Sequence, residues 1–373
     1  MSEISWFSAL CDDDYEQLGI VDTNLQSSWK HCSDIVQTVH DVGFDNVLLP
    51  SGYDLGIDTL AFASAMAPTI TNMKLLTAIR CGEVWVPQLA RQLATLNQIL
   101  NGKLSINIIS SEMPGETLDG PHRYARTLET MTSLRTLLNG ERLDIDGEFI
   151  QLHLDAPRIC RDSPQAPQFY FGGLSNEARD VAAAAADVYL MWPDTQDAIA
   201  ATIADLRSRA ATYNRTLKFG YRVHVIVRDT EDEARNAAAH LISAVDAATG
   251  DAIRSRSLDS ASVGVRRQAE LREAAGSDGF VEPHLWTGIG KARSPRRWRC
   301  GSSRATLPGR RARRRWWRTS TTAPRCSAGS ASAVAILAAW TWLHFARHGA
   351  GLPARVVIQS NPRDDLAPDH GGF

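Results

Sequence analysis

Arg222 and His224 stand two apart in the run Lys218-Phe-Gly-Tyr-Arg-Val-His-Val-Ile-Val-Arg228. A guanidinium offers a rigid fork of donors suited to an anion, and an imidazole can take or give a proton near neutral pH. The run reads as a β-strand, with Val223, Val225 and Val227 on one face and Arg222, His224 and Ile226 on the other. Two polar groups sharing a face of so apolar a strand need partners. Either this is an edge strand with its polar face in water, or the face looks into a site.

A second constellation is Phe169-Tyr-Phe-Gly-Gly-Leu-Ser-Asn-Glu177. It places two glycines at a strand end and Ser175 at a helix start. Backbone N–H groups uncovered by glycine, a helix N-terminus and a hydroxyl together suit a phosphate. The plainer reading is that Ser175 or Asn176 caps the helix. Arg123 and Tyr124, in the first turn of a helix opening at Gly120-Pro-His, can bind an anion or hydroxyl, or lie solvated. His284 is isolated in Glu282-Pro-His-Leu-Trp-Thr-Gly-Ile-Gly290, and a lone loop histidine is more often solvated than catalytic.

These residues must be positioned by something, and the hydrophobic pattern supplies it. Short apolar runs near 4–10, 46–50, 74–79, 104–109, 169–171, 187–192 and 218–228 read as strands. Helical patterns at 27–42, 57–66, 86–100, 123–138, 175–185, 195–213 and 230–246 alternate with them. Gly43 is placed as a left-handed helix cap, and Asp146-Gly147 turns a small hairpin within 143–152. Seven β-then-α units with near-continuous apolar strands predict a parallel sheet covered by helices, and an α/β (β/α)8 TIM barrel above an open sheet. No GxGxxG follows any strand. In a barrel the chemistry gathers at the C-terminal strand ends, which nominates Asp54, Asp58, Arg80, Cys81, Asn107, Ser110, Ser111 and Trp192 as further candidates. The stretch 247–285 reads as a strandless insertion after strand seven, either a mobile lid or a subunit contact.

Composition narrows the class. With 373 residues, 44% hydrophobic and 22% charged, the chain can bury a large core, and a net charge of −2 gives no sign of nucleic-acid or membrane binding. Six scattered cysteines (Cys11, Cys32, Cys81, Cys160, Cys300, Cys326) contain no CxxC pair. They argue against a metal cluster and a secreted disulfide scaffold, and fit a cytoplasmic protein with reduced thiols. No secretory signal is expected, and the apolar run 331–343 is too short to span a bilayer comfortably.

The segments 46–52, 78–95, 105–111, 169–175, 187–192, 219–228, 262–267 and 285–293 resemble the FMNH2-dependent alkanesulfonate monooxygenases of the bacterial luciferase-like superfamily. The resemblance runs in order from about residue 4 to 294. Its most specific pieces are the Arg-x-His-Val-Ile-Val-Arg strand, the Tyr-Phe-Gly-Gly-x-Ser loop and the Leu-Trp-x-Gly-x-Gly segment. It implies that Arg222 and His224 are the paired active-site residues, stabilising the sulfonate or the oxygenated flavin and handling protons. It implies that Arg293 lies on a loop closing over flavin and substrate. Ser175 and Tyr124 would contact the FMN phosphate, and Asn107 would line the flavin. It implies a homo-oligomer taking FMNH2 from a separate NAD(P)H:FMN reductase and using O2 to split an organosulfonate into aldehyde and sulfite; a sulfone, nitrogen-heterocycle or aldehyde substrate, a non-catalytic flavin-binding barrel and a reduced-F420 cofactor are the alternatives. No metal, nucleic acid or membrane enters that scheme. The family's cysteine after strand two has no counterpart in Ser51-Gly-Tyr-Asp-Leu-Gly-Ile-Asp58, and its histidine after strand one is replaced around Cys11.

The pattern changes after residue 294. From Lys291 to Arg318 there are twelve Lys or Arg and no acid, with Trp298, Trp316 and Trp317 interleaved, followed by Ser, Thr, Ala and Gly. The family's last helix, its eighth strand and its Ser-Gly-Tyr-Pro-His segment are not recognisable. The expectation is a barrel at 1–294 with a disrupted last β/α unit, and a frameshifted or disordered tail at 295–373. A barrel without strand eight has open edges, so an unstable or inactive product is expected. An authentic tail and a basic nucleic-acid arm are the alternatives.

Overall fold

Helix boundaries follow from capping side chains. Ser28 Oγ accepts from the His31 N–H at 3.2 Å and starts α1 (Trp29–Asp41), and Asp58 accepts from Ala61 N–H at 2.7 Å to start α2 (Thr59–Met66). Thr230 and Glu233 form a reciprocal capping box at the start of α8 (Glu231–Leu241). The computed structural model describes residues 3–7, scattered positions between 10 and 22, and 25–53, 55–246, 262–288, 333–338 and 355–359.

The remaining helices are α3 (Val86–Ile99), α4 (Gly120–Leu138), α5 (Arg158–Asp162), α6 (Asn176–Ala185), α7 (Gln196–Thr212) and α9 (Val263–Ala274). The strands are β1 (Glu3–Phe7), β2 (Asn46–Leu49), β3 (Lys74–Arg80), β4 (Leu104–Ile109), β5 (Leu143–Asp146), β6 (Gln151–Leu154), β7 (Gln168–Phe171), β8 (Val188–Met191) and β9 (Lys218–Arg228). Beyond them come β10 (Phe280–Glu282), β11 (Leu285–Trp286), β12 (Ala333–Ala338) and β13 (Arg355–Gln359). Gly43 has φ +85°, as a left-handed cap requires, and β5–β6 is the small hairpin turning through Asp146-Gly147.

Parallel pairing runs β1-β2-β3-β4-β7-β8-β9-β12 and returns from β12 to β1, a closed (β/α) barrel. One face of each strand packs outward on the helices: Val47, Leu75, Ile79, Ile106, Phe169 and Tyr189 share a core with Val36, Phe62, Leu89, Leu134 and Leu206. The other face points inward, where Leu48, Leu76, Tyr170, Val188 and Leu190 form their own cluster. Low in the barrel Glu3 closes the interior. Its carboxylate accepts from Asn46 Nδ2, from Lys74 Nζ at 3.2 Å and from the Tyr170 hydroxyl at 3.5 Å. Burial pushes the Tyr170 phenol well above its ordinary range, so it stays a donor.

Three expectations change. The eighth barrel position is filled: Ala333–Ala338 lies parallel between β9 and β1, with Ile336 opposite both Arg222 and Ser5. Ala-Val-Ala-Ile-Leu-Ala is an uninterrupted apolar run, the pattern of a strand covered on both faces, which its length had marked only as too short for a membrane. Secondly, β13, from the expected tail, pairs antiparallel with the second half of β9. Apart from these two strands, 295–373 lies outside the described residues. Thirdly, the insertion is not strandless, since Phe280–Glu282 and Leu285–Trp286 form a short antiparallel hairpin. Among the described residues, no helix is long and apolar enough to cross a membrane.

Candidate active site

The inner face can be followed across the barrel by register, because residues paired across parallel strands share a side of the sheet. Asn107 sits between Ala78 and Tyr170, and Leu190 lies opposite Gly220. Tyr170 and Leu190 belong to the interior cluster, so Asn107 and Arg222 project inward. β8 ends opposite Tyr221. Arg222 and His224 therefore stand just above the end of β8, at the C-terminal mouth of the barrel, both half-buried. The opposite face of β9 is a packed cluster of Val223, Val225, Val227 and Tyr221, as the alternation predicts. Ile226 shares the polar face but is covered by Leu18, Ala234, Leu241 and Trp286. The polar window on this strand is thus two residues long. β9 also changes partner there: Val223 is opposite Leu337 of β12, and His224 is opposite Gln359 of β13.

Two strands along from β9, β7 is followed by Gly172 and Gly173, and both glycines are required. A Cβ on Gly172 would lie 2.6 Å from the Leu190 carbonyl oxygen. Gly173 has φ +152°, and a Cβ there would meet the Ala178 Cβ at 2.6 Å. Tyr189 donates to the Gly173 carbonyl at 2.5 Å, with its phenol pushed up to about 12 by burial. Ser175 is the N-cap of α6, accepting from Ala178 N–H at 3.2 Å. The capping bond uses the oxygen lone pair and leaves the O–H as a donor. The Tyr124 ring meets Phe171 edge-on at 6.4 Å, and its hydroxyl lies 3.6 Å from the Cβ position of Gly173. The structure thus gathers Tyr124, Gly173 and Ser175, three donor-bearing groups around an uncovered backbone at a helix N-terminus. This geometry fits the phosphate of a flavin mononucleotide.

Other candidates are committed elsewhere. Arg123 donates to Glu112 at 3.0 Å and to the Leu118 carbonyl at 2.7 Å, so its guanidinium anchors the β4–α4 loop. Arg80 does the same from β3, reaching Ser111 Oγ at 2.6 Å, the Glu112 carbonyl at 2.7 Å and Glu83 at 3.2 Å. Arg126 adds a two-pronged bond to Glu116. Ser110 pairs with Thr127 at 2.6 Å. The Cys81 thiol is fully buried and pushed up to about 11 by that burial, which removes it as a nucleophile. Asp58 caps α2, and His284 is exposed at the β10–β11 turn. Asp54 and Arg293 lie outside the described residues.

The insertion is held by contacts that no local pattern marks. Arg267 of α9 grips Asp194 with two bonds of 2.8 and 2.7 Å, and Gln268 donates to the Pro193 carbonyl at 2.9 Å. Both partners lie in the β8–α7 turn, some 70 residues away, beyond the reach of local pattern.

The comparisons agree with this architecture. The model of the family described as luciferase-like monooxygenase matches residues 12–295. The sulfoquinovose monooxygenase of Novosphingobium aromaticivorans is 59% identical over 313 residues, covering 82% of this chain and 85% of that protein. The sulfoquinovose monooxygenase of Agrobacterium fabrum is 48% identical over 295 residues, covering 79% and 77% respectively. Among solved structures, riboflavin lyase (RcaE) with modified FMN and riboflavin superposes with a TM-score of 0.61 at 15% identity, over 68% of this chain and 69% of that one, a likeness of fold. The chain belongs to the luciferase-like monooxygenase family.

Proposed function

We propose that this protein is the oxygenating component of a two-component flavin system and that its substrate is the sulfonated sugar sulfoquinovose. The observation that carries this reading is the 59% identity to a sulfoquinovose monooxygenase across 82% of the chain, a span that includes most of the barrel. The gathering of Tyr124, Gly173 and Ser175 supports FMN, and the inward pair Arg222 and His224 supports a sulfonate.

In this reading the Gly172–Ser175 turn and Tyr124 hold the cofactor phosphate, and Asn107 lines the ring system from β4. Reduced flavin, delivered by a separate NAD(P)H:FMN reductase, supplies the activation of O2 when bound. Arg222 fixes the sulfonate, a permanent anion whose paired oxygens suit a guanidinium fork. That contact orients the carbon bearing the sulfonate toward the centre of the mouth. His224, one pleat further out, takes the proton that leaves this carbon. The new C–O bond becomes an aldehyde, the C–S bond breaks with its electron pair on sulfite, and the second oxygen atom leaves as water.

The test is sulfite release by the purified chain with FMN, NADPH and a flavin reductase. Sulfoquinovose should give sulfite at a higher kcat/KM than octanesulfonate, the simple alkanesulfonate that the Arg-x-His strand alone would suggest. The opposite order would return the assignment to the alkanesulfonates. Flavin oxidation yielding only hydrogen peroxide with both would overturn the sulfonate reading.

A further inference from the structure

The insertion between α8 and β12 touches the barrel mouth at defined points. Arg267 holds Asp194 in a planar two-bond fork, and Asp194 Oδ1 also accepts from Thr195 N–H at 2.7 Å, which fixes the carboxylate. Gln268, 4% exposed, adds its bond to the Pro193 carbonyl. In the hairpin, Glu282 accepts from Gln196 N–H at 3.3 Å. One turn before Arg267, Gly264 lies against Trp192, and a Cβ on it would be 3.3 Å from the indole Cζ3. Trp192 follows Met191, the last residue of β8, and lies two residues beyond inward-facing Leu190; extended by one residue, the β8–β9 register sets it opposite Arg222 at the mouth.

We propose that Arg267 is a positioning residue: by locking α9 to the β8–α7 turn it holds Gly264 against Trp192 and so sets one wall of the substrate chamber from outside the barrel. The sequence of contacts is short. Asp194 fixes the guanidinium, the guanidinium fixes one face of α9, and that face brings Gly264 so close that even a methyl there would have to push the indole aside by a few tenths of an ångström. The described part of the insertion is therefore a fixed buttress rather than a mobile lid. The role in catalysis rests on the monooxygenase reading above, because a chamber wall matters most where water has to be kept from an activated oxygen species.

The experiment compares wild type with Arg267→Lys, Arg267→Ala and the near-isosteric Asp194→Asn. Three quantities are read: hydrogen exchange of the peptides covering 262–288, the wavelength and FMN quenching of Trp192 emission against a Trp192→Phe reference, and sulfite formed per flavin oxidised with sulfoquinovose. Arg267→Ala should speed exchange in 262–288 while the peptides of β3 and β4 stay unchanged. It should shift the Trp192 signal and lower kcat/KM by about 10- to 100-fold, the cost expected of a reacting group misplaced by about 1 Å. The missing turnover should appear as hydrogen peroxide. Arg267→Lys, which keeps the charge and loses the fork, should fall between. Unchanged exchange or an unmoved Trp192 signal in both Arg267→Ala and Asp194→Asn would overturn the proposal. So would altered exchange with wild-type coupling and KM. Should wild type release no sulfite at all, the functional reading fails, while the exchange and fluorescence arms still decide whether Arg267 sets the wall.

Discussion

Replacing Gly173 by alanine is expected to damage both the stability of the barrel and its affinity for FMN, and the size of each effect can be worked out. The backbone there holds φ +152°, a region nearly closed to residues with a Cβ, and forcing alanine into it costs about 1–3 kcal/mol. The new methyl would also stand 2.6 Å from the Ala178 Cβ on α6, well inside van der Waals contact. Overpacking of that kind adds about 1–3 kcal/mol, for a total of roughly 2–6 kcal/mol. Gly115 separates the two parts. It also has positive φ, +78°, but nothing lies within 4 Å of its Cβ position, so Gly115→Ala should show the backbone cost alone, about 1–2 kcal/mol. The assay is urea unfolding of both variants at constant m, paired with an FMN titration. Gly173→Ala should lose several times more stability than Gly115→Ala and should weaken FMN at least tenfold, because Tyr124 and Ser175 flank the displaced backbone. Equal losses in the two variants would refute the packing argument. A destabilised Gly173→Ala that binds FMN normally would refute the assignment of this turn to the cofactor.

Arg222→Ala should raise KM for sulfoquinovose steeply and leave FMN binding within a factor of two, whereas His224→Ala should lower kcat by about 10²–10⁴-fold; steady-state kinetics with the reductase in excess separates the two. Glu129 accepts from three consecutive backbone N–H groups, those of Glu148, Phe149 and Ile150, at 2.9, 2.9 and 2.8 Å. Glu129→Ala strands all three, and a loss of about 2–4 kcal/mol in urea unfolding is expected, with faster proteolysis confined to the β5–β6 hairpin. His122 is raised above the ordinary imidazole value, chiefly by its 2.6 Å bond to Asp119, and Asp119 is lowered, chiefly by accepting the His122 backbone N–H. The histidine's contribution is complete below the ordinary imidazole value and is lost as pH rises through its raised one. The aspartate's is complete above the ordinary carboxylate value and is lost as pH falls through its lowered one. The first turn of α4 should therefore be most secure between these limits, and NMR titration should find His122 shifting downward in Asp119→Asn.

The barrel was legible because its strands are apolar on both faces and its helices carry caps and stops at their ends. Asn46–Leu49, Leu104–Ile109 and Gly43 behaved as local pattern required. Arg222 and His224 were legible for the same reason, since alternation on a strand fixes which side chains share a face. Arg80 and Arg123 were not, because an arginine near a strand end looks the same whether it awaits an anion or holds a loop. Their partners Ser111 and Glu112 come from a turn whose path no periodicity specifies. The seat of the insertion was equally hidden, since Asp194 and Arg267 are neighbours only after the barrel has closed. Ala333–Ala338 escaped for a different reason. It lies beyond the stretch that resembles the family, and a six-residue apolar run carries no marker of the strand it will join.

The carboxylate low in the barrel has a consequence for synthesis in the cell. Glu3 finds its partner Tyr170 167 positions later in the chain. At the usual ribosomal pace of about 5–20 residues per second, roughly 10–30 s separate the emergence of the two. Through that interval the charge that will close the barrel interior is solvated, and the early strands cannot complete their inner layer. Slow or paused translation between β4 and β7 should thus prolong exposure of half-made sheet, and the yield of soluble protein should depend on codon usage and chaperone supply over that stretch.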